Sequence, residues 1–227
     1  RAVAGRTFDQ QHIVPVVVKE WQLSDDYLEL RIVMRKGVKW SDGQPLTTAD
    51  VMFWYEDIFL NTDLTPTVDQ KWAPGGTPMT FTAEDDFTFT IKFAIPYPAI
   101  LDFLPNLAPW SPKHYLSQWH KTHNPDADAK AKEEKYETWI QAFQFHNQGA
   151  QLQQDKALPT LAPWMYDSQD TMGNRIYVRN PYYWAVDSAG NQLPYADAIE
   201  RTVVENREVL TAKVLAGEGT HHSWFLT

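Results

Sequence analysis

From Leu28 to Arg35, apolar and polar residues alternate: Leu28, Leu30, Ile32 and Met34 interleave with Glu29, Arg31, Val33 and Arg35. A period of two predicts a strand with one buried face. Trp40-Ser41-Asp42-Gly43 predicts a turn, in which Asp42 bonds its own backbone and Gly43 takes positive φ. Thr47 and Asp50 have the spacing of a capping box, with Asp in place of the usual Glu. The period then lengthens: Val51, Trp54, Tyr55 and Ile58 fall on one face of a helix. No residue type in 27–58 demands chemistry, and physics alone makes the stretch a piece of core.

The same patterns extend in both directions. Residues 1–11 show no period, and 12–18 form a β-rich run interrupted by Pro15, which fits an edge strand or no strand. Residues 61–77 predict a loop, and 79–83 with 87–93 a hairpin turning at Asp85-Asp86. Phe87, Phe89, Ile91 and Phe93 line one face of it, and the helix over 51–58 is expected to cover them. Thr88, Thr90 and Lys92 line the other face. A short helix is expected at 99–104, another at 113–119 entered through Pro112, and the longest at 127–143. That last one carries Tyr136, Trp139, Ile140 and Phe143 on one stripe and has a charged, solvated first half. Residues 147–163 are polar and punctuated by proline, as a crossover between lobes would be. Strands follow at 176–179 and 198–204, with a turn at 187–191 between them. Asn206 caps a helix running to about residue 216, and Gly217 stops it. The chain shows no internal repeat. The fold class is mixed α/β, of the α+β kind.

Composition narrows the function. At 227 residues, 43% hydrophobic and 22% charged, the chain is globular, with room for one or two domains. No run approaches the roughly 18 apolar residues that span a bilayer. A net charge of −9 with scattered basic residues argues against a nucleic-acid surface. The absence of cysteine excludes disulfides, thiolate catalysis and zinc–thiolate sites.

Candidate chemistry is sparse. His120-x-x-His123, with Asp126 and Asp128 nearby, has metal-ligand spacing. However, Asn124-Pro125 breaks a helix there and no third histidine is close, so a solvated helix end is expected and no metal. The pairs Asp25-Asp26 and Asp85-Asp86 invite a glycosidase reading, but both sit in turns, where Asp is favoured for backbone reasons. Residues 187–191 are rich in oxygen yet lack the spacing of a calcium loop. Tyr182-Tyr183-Trp184 reads as core before it reads as a stacking platform. Trp72 and Trp110 lie in loop-like stretches flanked by Pro and Gly, and are the candidates for stacking on a ligand. No catalytic residue, metal ligand or cofactor is assigned.

Three segments carry a resemblance. RKGVKWSDGQPLTTADVMFWYEDI (35–58), RNPYYWAVDSAGNQLPYADAIE (179–200) and VENREVLTAKVLAGE (204–218) resemble, in the same order, the signature stretches of the family 5 extracellular solute-binding proteins. The resemblance implies part of a bilobed, type II periplasmic-binding-protein-like fold that closes on a ligand without chemistry and delivers it to the permease of an ABC importer. It implies a peptide or oligosaccharide ligand, no cofactor and no nucleic acid. It also implies a periplasmic or extracellular location, with any membrane anchor upstream of Arg1. It covers roughly residues 12–218, well under half of a typical member, so the chain is expected to be a fragment and no ligand contact carries over by motif. The implied division is 1–150 as a smaller lobe-forming subdomain, 151–218 as part of the main ligand-binding lobe, and 219–227 as a tail outside the family pattern. Two other readings compete. A carboxylate-based glycoside hydrolase requires a pair of acids facing one cleft, and an interaction module requires a large exposed apolar face.

Overall fold

A computed structural model describes residues 2–7, 9, 11–148 and 154–219. A short ribbon pairs β1 (Ala4–Arg6) with β2 (Ile13–Pro15). The main sheet contains β3 (Val18–Leu23), β4 (Glu29–Met34), β5 (Thr80–Asp85) and β6 (Thr88–Lys92), all antiparallel in the order β3-β4-β6-β5. Its register sets Trp21 against Ile32, Ile32 against Phe89, and Leu30 against Ile91. The alternation in the sequence therefore becomes one apolar face, with Leu30, Ile32, Phe89 and Ile91 fully buried. The opposite face is not simply solvated. Glu84 lies at a bulge between Ala83 and Asp85 and accepts hydrogen bonds from Arg31 Nε and Thr90 Oγ1. Thr88 and Thr90 are buried on that face.

The helix after the turn begins as expected and continues differently. α1 (Thr48–Met52) opens with a capping box: the Thr47 hydroxyl accepts from Ala49 N–H, and the Asp50 carboxylate accepts Thr47 N–H at 3.1 Å. Thr48 also ties the helix to the β5–β6 turn, its N–H bonding Asp86 O and its hydroxyl Asp85 O. From Phe53 to Phe59 the backbone is π-helical, closed by Leu60 N–H to Tyr55 O at 3.0 Å. The wider turn changes the buried face. Val51, Tyr55 and Phe59, four apart, pack on the sheet with Trp54 partly buried beside them, so of the predicted Val51, Trp54, Tyr55 and Ile58 only Ile58 departs and Phe59 is added. Phe53 and Ile58 turn to a second apolar cluster formed by the helices that follow. The segment lies between two cores and presents large rings to both.

That second cluster contains α3 (Lys113–Leu116), α4 (Ala127–Glu133) and α5 (Trp139–His146), while α2 (Ile100–Phe103) packs on the main core. The single helix expected at 127–143 is broken. Lys135 takes φ +70°, Tyr136 N–H bonds back to Ala131 O, and Thr138 caps α5 by accepting from Gln141 N–H. Asp128 accepts from Trp139 N–H at 3.1 Å, which fixes the angle between the two helices.

The second sheet is a meander of β7 (Trp164–Gln169), β8 (Arg175–Arg179) and β9 (Ala198–Arg201). β7 was not read from the sequence. Two of its chain reversals share a pattern, although the sequence reading found no repeat. Asp170-Thr-Met-Gly-Asn174 and Asp187-Ser-Ala-Gly-Asn191 form the same turn. In each, one Asp oxygen accepts the N–H groups two and four residues on, the other accepts the Asn amide, and Gly takes positive φ, +88° and +85°. α6 (Arg207–Leu215) follows, capped by Asn206, which accepts from Val209 N–H at 2.9 Å as predicted. α6 has no buried residue and β9 is exposed throughout. Among the described residues, no helix is long and apolar enough to cross a membrane.

Candidate functional site

The two sheets meet at the turn 40–43. Ser41 N–H bonds Thr160 O at 3.0 Å, and Thr160 N–H returns to Ser41 Oγ at 2.9 Å. Gly43 has φ +91°, and a Cβ there would lie 3.1 Å from the Tyr182 ring. Only glycine allows both that backbone and that approach. Lys39 Nζ sits 5.5 Å from the centre of the same ring. Behind it Asn180 is fully buried. Its amide donates to Ala162 O at 2.9 Å, and its Oδ1 accepts from Tyr182 N–H at 2.9 Å. Of the Tyr182-Tyr183-Trp184 run, Trp184 packs on the main core while Tyr182 remains 42% exposed. The Trp184 indole N–H is buried without a hydrogen-bond partner among the described residues. The joint holds no nucleophile–base pair. Its geometry positions one sheet against the other.

Asp50 fastens the opposite end of the same turn. Its carboxylate is 4% exposed and accepts from Trp40 Nε1, Thr47 N–H and Lys113 N–H at 3.2, 3.1 and 3.0 Å. Burial pushes its pKa up, against the pull of those hydrogen bonds. Asp42 closes the group through His114 Nε2 at 2.7 Å.

The histidine pair is not the solvated helix end the sequence suggested. His120 is 1% exposed, its ring set against Phe53, Trp139 and Phe143. Its Nε2 faces Asp57 O at 2.9 Å and its Nδ1 accepts from Thr122 N–H at 3.3 Å, which fixes a neutral ring protonated at Nε2. Burial holds its pKa below the ordinary histidine value. His123 Nε2 meets the Asp57 carboxylate at 2.7 Å. Asp57, His120 and His123 are close enough to share an ion, but a metal would have to displace both bonds of His120.

The paired carboxylates lie in turns. Asp26 accepts from Ser24 Oγ and Leu28 N–H, and Asp85 from Phe87 N–H. Those bonds hold both acids below the usual carboxylate range, the reverse of what a general acid needs near neutral pH. Trp72 is half-buried among Trp54, Phe59 and Phe103, with ring centres 5.0 to 5.7 Å apart. Trp110 is 7% exposed in the main core.

One polar cluster had no signal in the sequence. His146 stacks on Trp119 at 3.6 Å, with Asp155 at one ring nitrogen and Glu134 at the other. Its members come from four separate stretches, so no local spacing links them.

The model of bacterial extracellular solute-binding proteins, family 5 (middle region), matches residues 12–222. The chain belongs to this family. The periplasmic alpha-galactoside-binding protein of Rhizobium meliloti (strain 1021) is 30% identical over 196 residues, covering 84% of this chain and 26% of that protein. The solved oligopeptide-binding protein OppA superposes with a TM-score of 0.87 at 35% identity, over 95% of this chain and 34% of its own. The periplasmic binding protein MelB of Agrobacterium fabrum C58, solved with stachyose, gives 0.74 at 25% identity, over 96% and 31%. This family 5 chain thus spans about a quarter to a third of the length of the relatives it matches. Two of the signature segments, 35–58 and 179–200, are the ones that build the joint at Ser41, Gly43, Asn180 and Tyr182. The family and these relatives are named for binding, not for catalysis.

Proposed function

We propose that this chain is part of the substrate-binding component of an ABC importer, working in the periplasm or outside the cell. The whole protein captures a peptide or an oligosaccharide and hands it to a permease without altering it. The observation that carries this reading is the family match over 12–222, together with a fold in which a hydrogen-bonded joint sets two sheets against each other. Closure of such units around a ligand is a population shift driven by binding energy. An α-galactoside-binding relative and a stachyose-bound neighbour support the oligosaccharide side, and the oligopeptide-binding neighbour supports the peptide side. Residues 1–150 fit a smaller lobe-forming part and 151–218 a share of the main lobe. Of the two loop tryptophans, Trp72 keeps the larger exposed share and is the better ligand-stacking candidate.

The test is thermal-shift and calorimetric titration of the full-length protein with peptide pools and with stachyose-type galactosides. One class should stabilise it and be recovered intact. Stabilisation by neither class, or hydrolysis of the sugar, overturns the reading.

A further inference from the structure

His146 ends α5, 8% exposed, its ring stacked on Trp119 with an interplanar angle of 18°. Nδ1 faces Asp155 Oδ2 at 2.6 Å and Nε2 faces Glu134 Oε2 at 2.8 Å. Two ionised carboxylates at two ring nitrogens can both be satisfied only by the doubly protonated imidazolium, which donates once to each. The rest of the cluster supports that state. Tyr115 O–H donates to Asp155 Oδ2 at 2.5 Å, and Trp119 Nε1 donates to Glu134. The position at the C-terminus of α5 also favours a cation. Among the described residues, the charged and titratable groups facing the ring are Asp155, Glu134 and Tyr115. Tyr136 lies beyond Glu134, and Lys130 Nζ stands 4.5 Å from the centre of the Trp119 ring.

Asp155 belongs to the stretch that leads into the second sheet. It bonds Ala157 N–H through Oδ1, Leu158 is buried against the helices, and Thr160 reaches the joint at Ser41. We propose that the His146 imidazolium is a pH-operated latch that holds residues 154–158 against the helical layer. A neutral ring presents a lone pair to one of the two carboxylates at less than 3 Å, so that carboxylate must withdraw. Both acids keep another donor, Glu134 from Trp119 Nε1 and Asp155 from Tyr115 O–H, but Glu134 is anchored on the end of α4 whereas Asp155 lies on irregular chain, so the Asp155 stretch is the one that moves. This inference is independent of which ligand the whole protein binds.

The two titrations set the window. Burial lowers the His146 pKa, but the hydrogen bonds it donates to Asp155 and Glu134 outweigh it and the net shift is upward. Its stabilisation is full below the ordinary histidine value and is lost as pH rises through the raised one. Burial raises Asp155, but the bonds from His146 and Tyr115 outweigh it and hold it down. Its stabilisation is present above the ordinary carboxylate value and is lost as pH falls through the lowered one. The latch is closed between these limits and opens on the alkaline side first.

The experiment follows the His146 ring by NMR and the exchange of the Ala157 amide in the same chain from pH 5 to 9, corrected for base catalysis. We expect Ala157 exchange to rise about tenfold or more in step with His146 deprotonation, at a pH above the ordinary value. His146→Gln should exchange fast throughout with no step, and Asp155→Asn should remove the step while lowering the His146 pKa. A His146 that titrates at or below the ordinary value, or a flat Ala157 profile in the unmodified chain, overturns the proposal. The unmodified chain decides it even if a variant fails to fold.

Discussion

The Asp50 carboxylate takes N–H groups from three stretches of chain: the signature turn, the cap of α1 and the entry to α3. Replacing it by alanine leaves three buried donors without a partner. Asp50→Ala should therefore cost about 3 kcal/mol by chemical denaturation, and Asp50→Asn, which keeps an acceptor, about half as much. The carboxyl's raised pKa adds a sign. The unmodified chain loses stability from this group as pH rises from the ordinary carboxylate value through the folded one, and Asn removes that dependence. The cap was legible, because Thr47 and Asp50 are neighbours in sequence. The bond to Lys113 was not, because it spans 63 residues. The same limit hid the His146 cluster, whose members Tyr115, Glu134 and Asp155 are brought together only by the packing of helices and of the irregular chain after α5. It also misplaced His120, where burial against Phe53 and Trp139 overrode a polar local sequence.

The central strands β4 and β6 were read well, β1, β3 and β7 were not read at all, and the helices over 51–58 and 127–143 were read with the wrong register or length, for physical reasons. A strand's period of two does not depend on its neighbours, so the β4 and β6 faces came out as predicted. A helix read at 3.6 residues per turn fails where the backbone widens, as it does from Phe53 to Phe59. The two registers predict different mutants. Phe59→Ala should cost about 3–5 kcal/mol, because the ring is buried between Trp54 and Tyr55 and faces the sheet. Ile58→Ala, on the half-buried side, should cost about 1–2 kcal/mol. An α-helical register would put Ile58 on the sheet-facing side as well and bring the two costs close together, and equilibrium unfolding of the two variants distinguishes the cases. The break between α4 and α5 was missed because the stripe through Tyr136 and Phe143 happens to continue across it. The left-handed Lys135 carries no local signal comparable to a glycine.

The molecule is uneven in how it is held. Its first sheet and helices enclose two contiguous cores, whereas β9 and α6 contribute no buried residue. Hydrogen exchange of this chain should rank accordingly, with amides of β4 and β6 the slowest and those of β9 and α6 exchanging by local opening. Equal protection of both sheets would contradict the burial pattern. The broad outline was legible from three signature segments, but their meeting at Ser41, Gly43 and Tyr182 was not, since nothing in either segment names its partner. The twin turns at 170–174 and 187–191 bear on how so thinly covered a meander keeps its register. Each reversal is closed by its own Asp and Asn, without help from a core. They are interchangeable parts. Exchanging Thr171-Met172 with Ser188-Ala189 should leave the exchange pattern of β7 and β8 intact, whereas Asp170→Ala should loosen that hairpin alone. A sheet built this way carries its own corners, and can be moved or extended by recombination without redesigning what lies beneath it.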